Sequence, residues 1–262
     1  MLVALSSLDI KWEDKRSNLV ECQKDISLAK KKSCDLIIFP EMTLTGFSPR
    51  NPEIIENFEE STTIEFFKEA ALENNISIIF GVALCVKGKF YNTAITVSES
   101  GELISFYNKI HLFAFASEDS IYSSGEKVET FYLNRFKIGI SICFDLRFPE
   151  LFSMMNDVDL IINIANWPNK RISHWYSLLK SRSIENQSFV IGVNRSGIDP
   201  YNNHYVMSSS CFDPNGTRKK LRVESGRPHI ETIFLDKKLA QKQRLKYSFK
   251  SSRRISSNIN EN

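Results

Sequence analysis

The chain has 262 residues, 42% of them apolar and 25% charged, with a formal net charge of +3 at neutral pH. This length can bury a full core without a second domain, and this composition excludes a chain disordered throughout. Five scattered cysteines (Cys22, Cys34, Cys85, Cys143, Cys211) form no C-x-x-C pair, which argues against a disulfide framework or a zinc site and for a reducing cytoplasm.

Residues 2–8 read as a first strand. The opening Met-Leu-Val-Ala-Leu run is cut short by Asp9 and Lys11 and lacks the basic leader of a signal peptide. No apolar run approaches the ~20 residues that span a bilayer. An amphipathic helix is expected over 18–31, with Val20, Cys22, Ile26 and Ala29 near one face. The continuous apolar strand 35–39 follows and ends at Pro40-Glu41. Ser61 and Thr62 offer N-caps for a helix reaching about residue 74. Strands at 77–85 and 91–97 form a hairpin through Lys87-Gly88-Lys89, and another strand covers 103–107.

A long polar loop from 109 to about 127 precedes strands at 128–133 and 135–142. Cys143 stands on the turn after them, where Asp145 can cap what comes next and 147–155 has helical spacing. Then come a strand at 159–164, a loop at 166–171, a helix at 173–186, and strands at 189–194, 206–212 and 230–235. Asp213-Pro-Asn-Gly216 is a turn by its chemistry. With no internal repeat and no Gly/Ser linker, one α/β domain over 1–262 is expected. Its many strands, with helices between only some, predict two mixed β-sheets face to face with helices outside.

Charge is unevenly spread. Arg218 to Arg254 holds thirteen Lys or Arg against three acids, so the first 217 residues are net acidic. This stretch lacks aromatic–basic interleaving and any nucleic-acid motif. From about residue 237 it reads as a solvated or subunit-contacting tail.

Three reactive residues occupy equivalent places. Glu41 ends one strand, Lys109 follows another, and Cys143 ends a third. Ligand sites of α/β sheets gather at the carboxyl ends of strands, so the three can converge. A carboxylate can take a thiol proton, an ammonium can hold a developing oxyanion, and a thiolate can attack a carbonyl-like carbon. A sharp strand-to-helix turn exposes a nucleophile, and a helix N-terminus is expected to lower its thiol pKa. Each residue alone is a weak signal. A lone cysteine after a strand is more often a buried structural residue, and a Glu or Lys there is usually a solvated loop residue.

Phe39-Pro-Glu-Met-Thr-Leu-Thr-Gly-Phe47, Tyr107-Asn-Lys-Ile-His-Leu-Phe113 and Cys143-Phe-Asp-Leu-Arg-Phe-Pro-Glu150 resemble the three signatures of the nitrilase superfamily of carbon–nitrogen hydrolases. The resemblance runs from the first strand to about residue 235. Asn166-Trp-Pro168, His174-Trp175, Arg182-Ser-Ile-Glu-Asn-Gln187 and Gly192-Val-Asn-Arg195 are similar to its ω-amidase branch, which hydrolyses the terminal amide of α-keto acid monoamides. This resemblance implies an αββα sandwich, a Glu41–Lys109–Cys143 triad and a homodimer formed through the helical faces. It also implies a second glutamate between the lysine and cysteine motifs, taken as Glu118 with Glu126 as its competitor. The Phe144 N–H would complete the oxyanion hole beside Lys109. Arg147 and Glu150 read as a structural ion pair or cap, and His111 and His174 as structural hydrogen bonders. Phe144 stands where this branch often has Tyr, and Met207, expected near the pocket, where close relatives have Gly.

An ω-amidase must hold a carboxylate at the far end of a short substrate, and a planar guanidinium suits that task. Arg171, in the loop with Asn166 and Trp167, is the first candidate, against the plainer reading of a helix-flanking surface arginine. Arg195 is the second. Phe47, Phe113, Phe115 and Tyr205 are expected to wall the pocket. The expectation is a cytoplasmic thiol amidase acting on a small carboxylate-bearing monoamide, with no metal or organic cofactor and no nucleic-acid or membrane partner. The alternatives are an N-carbamoyl amidohydrolase or nitrilase on the same triad, and a non-catalytic binding or scaffold protein.

Overall fold

The apolar runs of this chain are continuous where each strand is covered on both faces. The computed structural model, which describes residues 1–247 and 249–252, shows what covers them. One mixed sheet has eight strands. Its path runs Arg222–Val223, Ile230–Phe234, Leu2–Ser6, Leu36–Ile38, Ser77–Val86, Lys89–Val97 and Leu103–Asn108, with Glu56–Asn57 paired beside Ser77–Val86. The second has five strands, ordered Ser210–Phe212, Phe189–Asn194, Leu160–Ala165, Phe136–Ile142 and Thr130–Leu133, the middle three parallel.

The two sheets face each other. Val3, Leu5, Leu36 and Ile38 of the first meet Ile138, Ile140, Ile142, Ile162, Ile164 and Ile191 of the second in one buried core. Their sequence neighbours point outward, as the two-residue strand period requires. Ala4, Ile37 and Ile78 lie under the helices Lys15–Lys31 and Thr62–Asn74, while Ile161 and Val190 lie under Pro149–Met154 and Ile172–Asn186. The expected layering, helix–sheet–sheet–helix, is present. The hairpin turn is Lys87-Gly88, both at positive φ, which suits the right-handed twist of the paired strands.

Some expected boundaries differ for local reasons. The first helix starts earlier, at Lys15, because the Asp14 side chain accepts the Ser17 N–H. The helix after Cys143 starts late, at Pro149, preceded by a 3₁₀ turn over Cys143–Arg147. Asp145 caps that 3₁₀ turn, its side chain accepting the Ile142 N–H at 3.0 Å, rather than the helix. The strand expected over 206–212 shrinks to Ser210–Phe212. Ser208 and Ser209 turn their hydroxyls to Asn194 instead of continuing the ladder. The basic tail is partly docked: Lys237–Lys246 is a helix whose Arg244 Nη2 donates to buried Asp159 Oδ1 at 2.6 Å. Arg253 and Arg254 lie outside the described residues. Among the described residues no helix is long and apolar enough to cross a membrane.

Candidate active site

Two glycines let the carboxylate and the lysine arrive where they do. A side chain on Gly81 would strike the backbone at Glu41 and Met42, so only glycine lets the Pro40–Thr43 turn lie against the strand Ser77–Val86. Thr43 pins the turn there, donating to the Pro40 carbonyl at 2.7 Å and accepting the Gly81 N–H at 3.0 Å. A side chain on Gly125 would strike the Asn108 carbonyl, and the Gly125 N–H donates to the Lys109 carbonyl at 2.8 Å.

These contacts deliver a buried ion cluster. Lys109 Nζ donates to Glu41 Oε1 at 3.0 Å and to Glu118 Oε2 and Oε1 at 2.9 and 3.1 Å. All three side chains are fully buried. Burial opposes the Lys109 ammonium, but the carboxylates of Glu118 and Glu41 outweigh it and hold its pKa above the ordinary lysine range. Burial also pushes the Glu118 carboxyl up, against the pull of Lys109. The other oxygen of Glu41 accepts the Asn166 N–H at 2.9 Å. Glu126 is exposed in the loop outside, and Glu118 is the acid that reaches the lysine.

Cys143 follows the strand Phe136–Ile142 at φ 45°, a left-handed conformation that costs a non-glycine residue on the order of 1–3 kcal/mol and clusters at functional turns. Its Sγ lies 3.9 Å from the Asn166 carbonyl. The expected lowering of the thiol pKa is reversed: burial, then the Glu41 carboxylate, push it up, and Lys109 only partly offsets them. The short 3₁₀ turn supplies too little dipole to change that balance. A resting neutral thiol needs a base.

The thiol and the Lys109 ammonium open on a cavity of about 410 Å³. Phe47, Phe113, Phe144, Trp167 and Tyr205 form much of its wall, as do Asn166 and Arg171, and Phe115 stands at its edge, 88% exposed. Lys109 Nζ sits 5.3 Å from the Phe47 ring centroid, and the Arg171 guanidinium 5.6 Å from that of Phe113. Asn166 is committed to Glu41 through its N–H and its side-chain amide.

A family model for carbon–nitrogen hydrolases matches residues 2–227. The chain belongs to the carbon–nitrogen hydrolase family. It is 36% identical over 190 residues to the Hydrolase in agr operon of Staphylococcus lugdunensis, covering 71% of this chain and 81% of that one. With the Omega-amidase YafV of Escherichia coli (strain K12) it shares 32% identity over 214 residues, 82% of each chain. Its structure superposes on that of XC1258 from Xanthomonas campestris, a CN-hydrolase superfamily protein, with a TM-score of 0.88 over 98% of both chains at 25% identity.

Some residues of this carbon–nitrogen hydrolase lie elsewhere than the sequence suggested. Arg195 is fully buried behind the wall, donating to the Ile10 and Ser196 carbonyls and lying 4.7 Å from the Tyr205 ring centroid, so it does not reach the cavity. Met207 is exposed and off the cavity wall. Arg147 is no partner of Glu150. It lines the cavity over the Trp167 ring at 4.9 Å, beside His174, and the nearby Arg171 charge adds to burial in lowering its pKa. Asn92, which holds Glu41 and Glu118, is absent from the sequence reading, and Asp145, which appears there only as a cap, also ties the Lys109 strand to the Cys143 turn. Their signal was only a polar residue inside an apolar strand and an acid two places after the cysteine.

Proposed function

We propose that this carbon–nitrogen hydrolase is an ω-amidase-type thiol amidase, releasing ammonia from the terminal amide of a small α-keto or related carboxylate monoamide. One observation carries the reading: Glu41, Lys109 and Glu118 form a closed buried cluster that acts electrostatically on a thiol at the floor of a cavity bearing Arg147 and Arg171. Among the described residues neither guanidinium pairs with a carboxylate. Two unneutralised cations side by side favour an anionic ligand. The similarity to an omega-amidase supports the same class.

Glu41 takes the Cys143 proton as sulfur attacks the amide carbon. Burial and the Glu41 carboxylate push the thiol pKa up, so a base is needed for this transfer. Lys109, held as an ammonium by its two carboxylates, and the Phe144 N–H receive the oxyanion. As the C–N bond breaks, Glu41 returns the proton to nitrogen and ammonia leaves, with a thioester on Cys143. Water then loses a proton to Glu41, with Glu118 fixing its approach, and the acid departs as the thiol regains its proton.

The protein is further proposed to act as one domain and as a cytoplasmic homodimer. All five cysteines are free, which suits a reducing compartment. Met154 and Ile184 expose apolar surface on the outer helices, where a second copy can cover it. The test is mass spectrometry of protein trapped with succinamate, butyramide, a ureide and a nitrile. A succinyl adduct on Cys143 and weaker acylation by butyramide are expected. Adduct on another cysteine removes the nucleophile, and preference for the ureide or nitrile replaces the substrate class.

A further inference from the structure

One fully buried side chain takes no part in that mechanism yet touches both of its carboxylates. Asn92 lies in the strand Lys89–Val97, and its Nδ2 donates to Glu41 Oε1 at 2.8 Å and to Glu118 Oε1 at 2.9 Å. Its backbone carbonyl accepts the Lys109 N–H at 2.9 Å. A single residue thus contacts all three members of the ion cluster. The amide orientation is fixed by its surroundings. Turned over, it would aim Oδ1, which has no partner among the described residues, at two carboxylates.

The charge balance gives these contacts a purpose. Two buried carboxylates share one ammonium, and like charges in low dielectric favour a proton on one of them. Among the described residues, Lys109 and Asn92 are the side chains that donate to both. The remaining titratable groups acting on the cluster are Cys143 and Tyr122, and the Tyr122 hydroxyl has no partner among the described residues. Neither supplies a positive charge. On the Glu41 and Cys143 roles given above, we propose that Asn92 is a positioning residue: its two N–H groups keep Glu41 and Glu118 both ionised on the one Lys109 ammonium. Without it, the pair would take up a proton at higher pH, and Glu41 would no longer be anionic when a substrate arrives.

The test uses Asn92→Ala and the near-isosteric Asn92→Asp, which keeps the volume but replaces the donor with an acid. Iodoacetamide modification of Cys143, followed against pH, reads the ionisation of the cluster without any assumption about substrate. A hydrogen bond to a charged group is strong enough to move the acid limb of that profile upward by about one pH unit. Turnover of succinamate should show kcat lower by about tenfold to a hundredfold with KM little changed, because Asn92 does not line the cavity. An acid limb that stays in place in both variants overturns the proposal, whatever happens to kcat. Turnover of succinamate that survives in Cys143→Ser would instead overturn the nucleophile assignment, so the two failures are distinguishable.

Discussion

The Tyr107 hydroxyl donates to Asp145 Oδ2 at 2.7 Å across the two facing sheets. Tyr107 stands two residues before Lys109, and Asp145 two after Cys143. The same carboxylate accepts the Ile142 N–H at 3.0 Å and the His111 N–H at 2.9 Å, with His111 Nδ1 also at 2.9 Å. One buried acid therefore brackets both Lys109 and Cys143. Asp145→Asn keeps the shape but aims an N–H₂ at groups that already donate. Leaving a buried donor unsatisfied costs about 1–3 kcal/mol, which lowers the melting temperature by roughly 2–4 °C per kcal/mol in a chain of this size. Calorimetry and kcat should both fall; a variant unchanged in both would remove Asp145 from this bracing role.

Lys109→Ala should damage rate and stability by separate routes. On the proposed role of Lys109 as an oxyanion donor, its loss costs ~3–4 kcal/mol of barrier, or ~10²–10³ in kcat. Removing the cation also strands two buried carboxylates, a loss of about 3–5 kcal/mol in comparable broken pairs. Adding Glu118→Gln to Lys109→Ala should therefore recover part of the melting temperature and none of the turnover. Equal melting temperatures for the single and double variants would mean the cluster is not electrostatically linked.

Recognition should follow the charge on the cavity wall. Asp199, also on the wall, is saturated: its oxygens accept from Tyr201 N–H, Asn203 N–H, the Asn203 amide and the Tyr205 hydroxyl, each at 2.9 Å. An ammonium beside the substrate carboxylate finds no free acid there, only guanidinium groups. A 2-oxo or unsubstituted monoamide should therefore outrun its 2-amino analogue, and both a neutral amide of the same length. Arg171→Ala should raise KM for the acidic substrate about tenfold to a hundredfold while barely touching the neutral one. Equal loss on both would give Arg171 a structural role, and equal wild-type rates on both would remove the ω-amidase reading but not the triad.

Alkali should destabilise the protein through thiols away from the site. Burial pushes both Cys34 and Cys211 up to about 12, above an unfolded value near ~8.5. The folded state then holds protons that the unfolded state has released, so their contribution is full below the unfolded pKa and is lost as pH rises toward 12. Urea unfolding from pH 8 upward should show falling stability, with a shallower slope in Cys34→Ala despite its lower stability at neutral pH. An unchanged slope would exclude Cys34 as a contributor.

The layering was legible because continuous apolar strands and amphipathic helices leave few other ways to cover both sheet faces. Glu41, Lys109 and Cys143 were legible because strand ends are fixed by the same apolar pattern that defines the strands. Glu118 was harder: it sits in a loop, where no period constrains direction, and only the resemblance marked it. Arg147 was misread and Asn92 missed for a related reason. Their roles depend on what lies across the cavity or in the adjoining chain segment, and side chains that meet from 20 to 51 residues apart leave no local pattern. Arg195 stands at a strand end like the reactive residues, but its guanidinium turns back to the Ile10 carbonyl, a choice the sequence around it does not encode.

Glu41 and Lys109 lie just past strand ends of the eight-stranded sheet, while Cys143 and Asn166 lie just past strand ends of the five-stranded one. The proposed reacting groups are thus two halves of a vernier, each ruled on its own plate. A slide of one sheet over the other by a fraction of an ångström would misalign base and sulfur well before it opened the core between them. Turnover is therefore a finer gauge of sheet alignment than any global probe of folding, and heat or mild denaturant should extinguish it first.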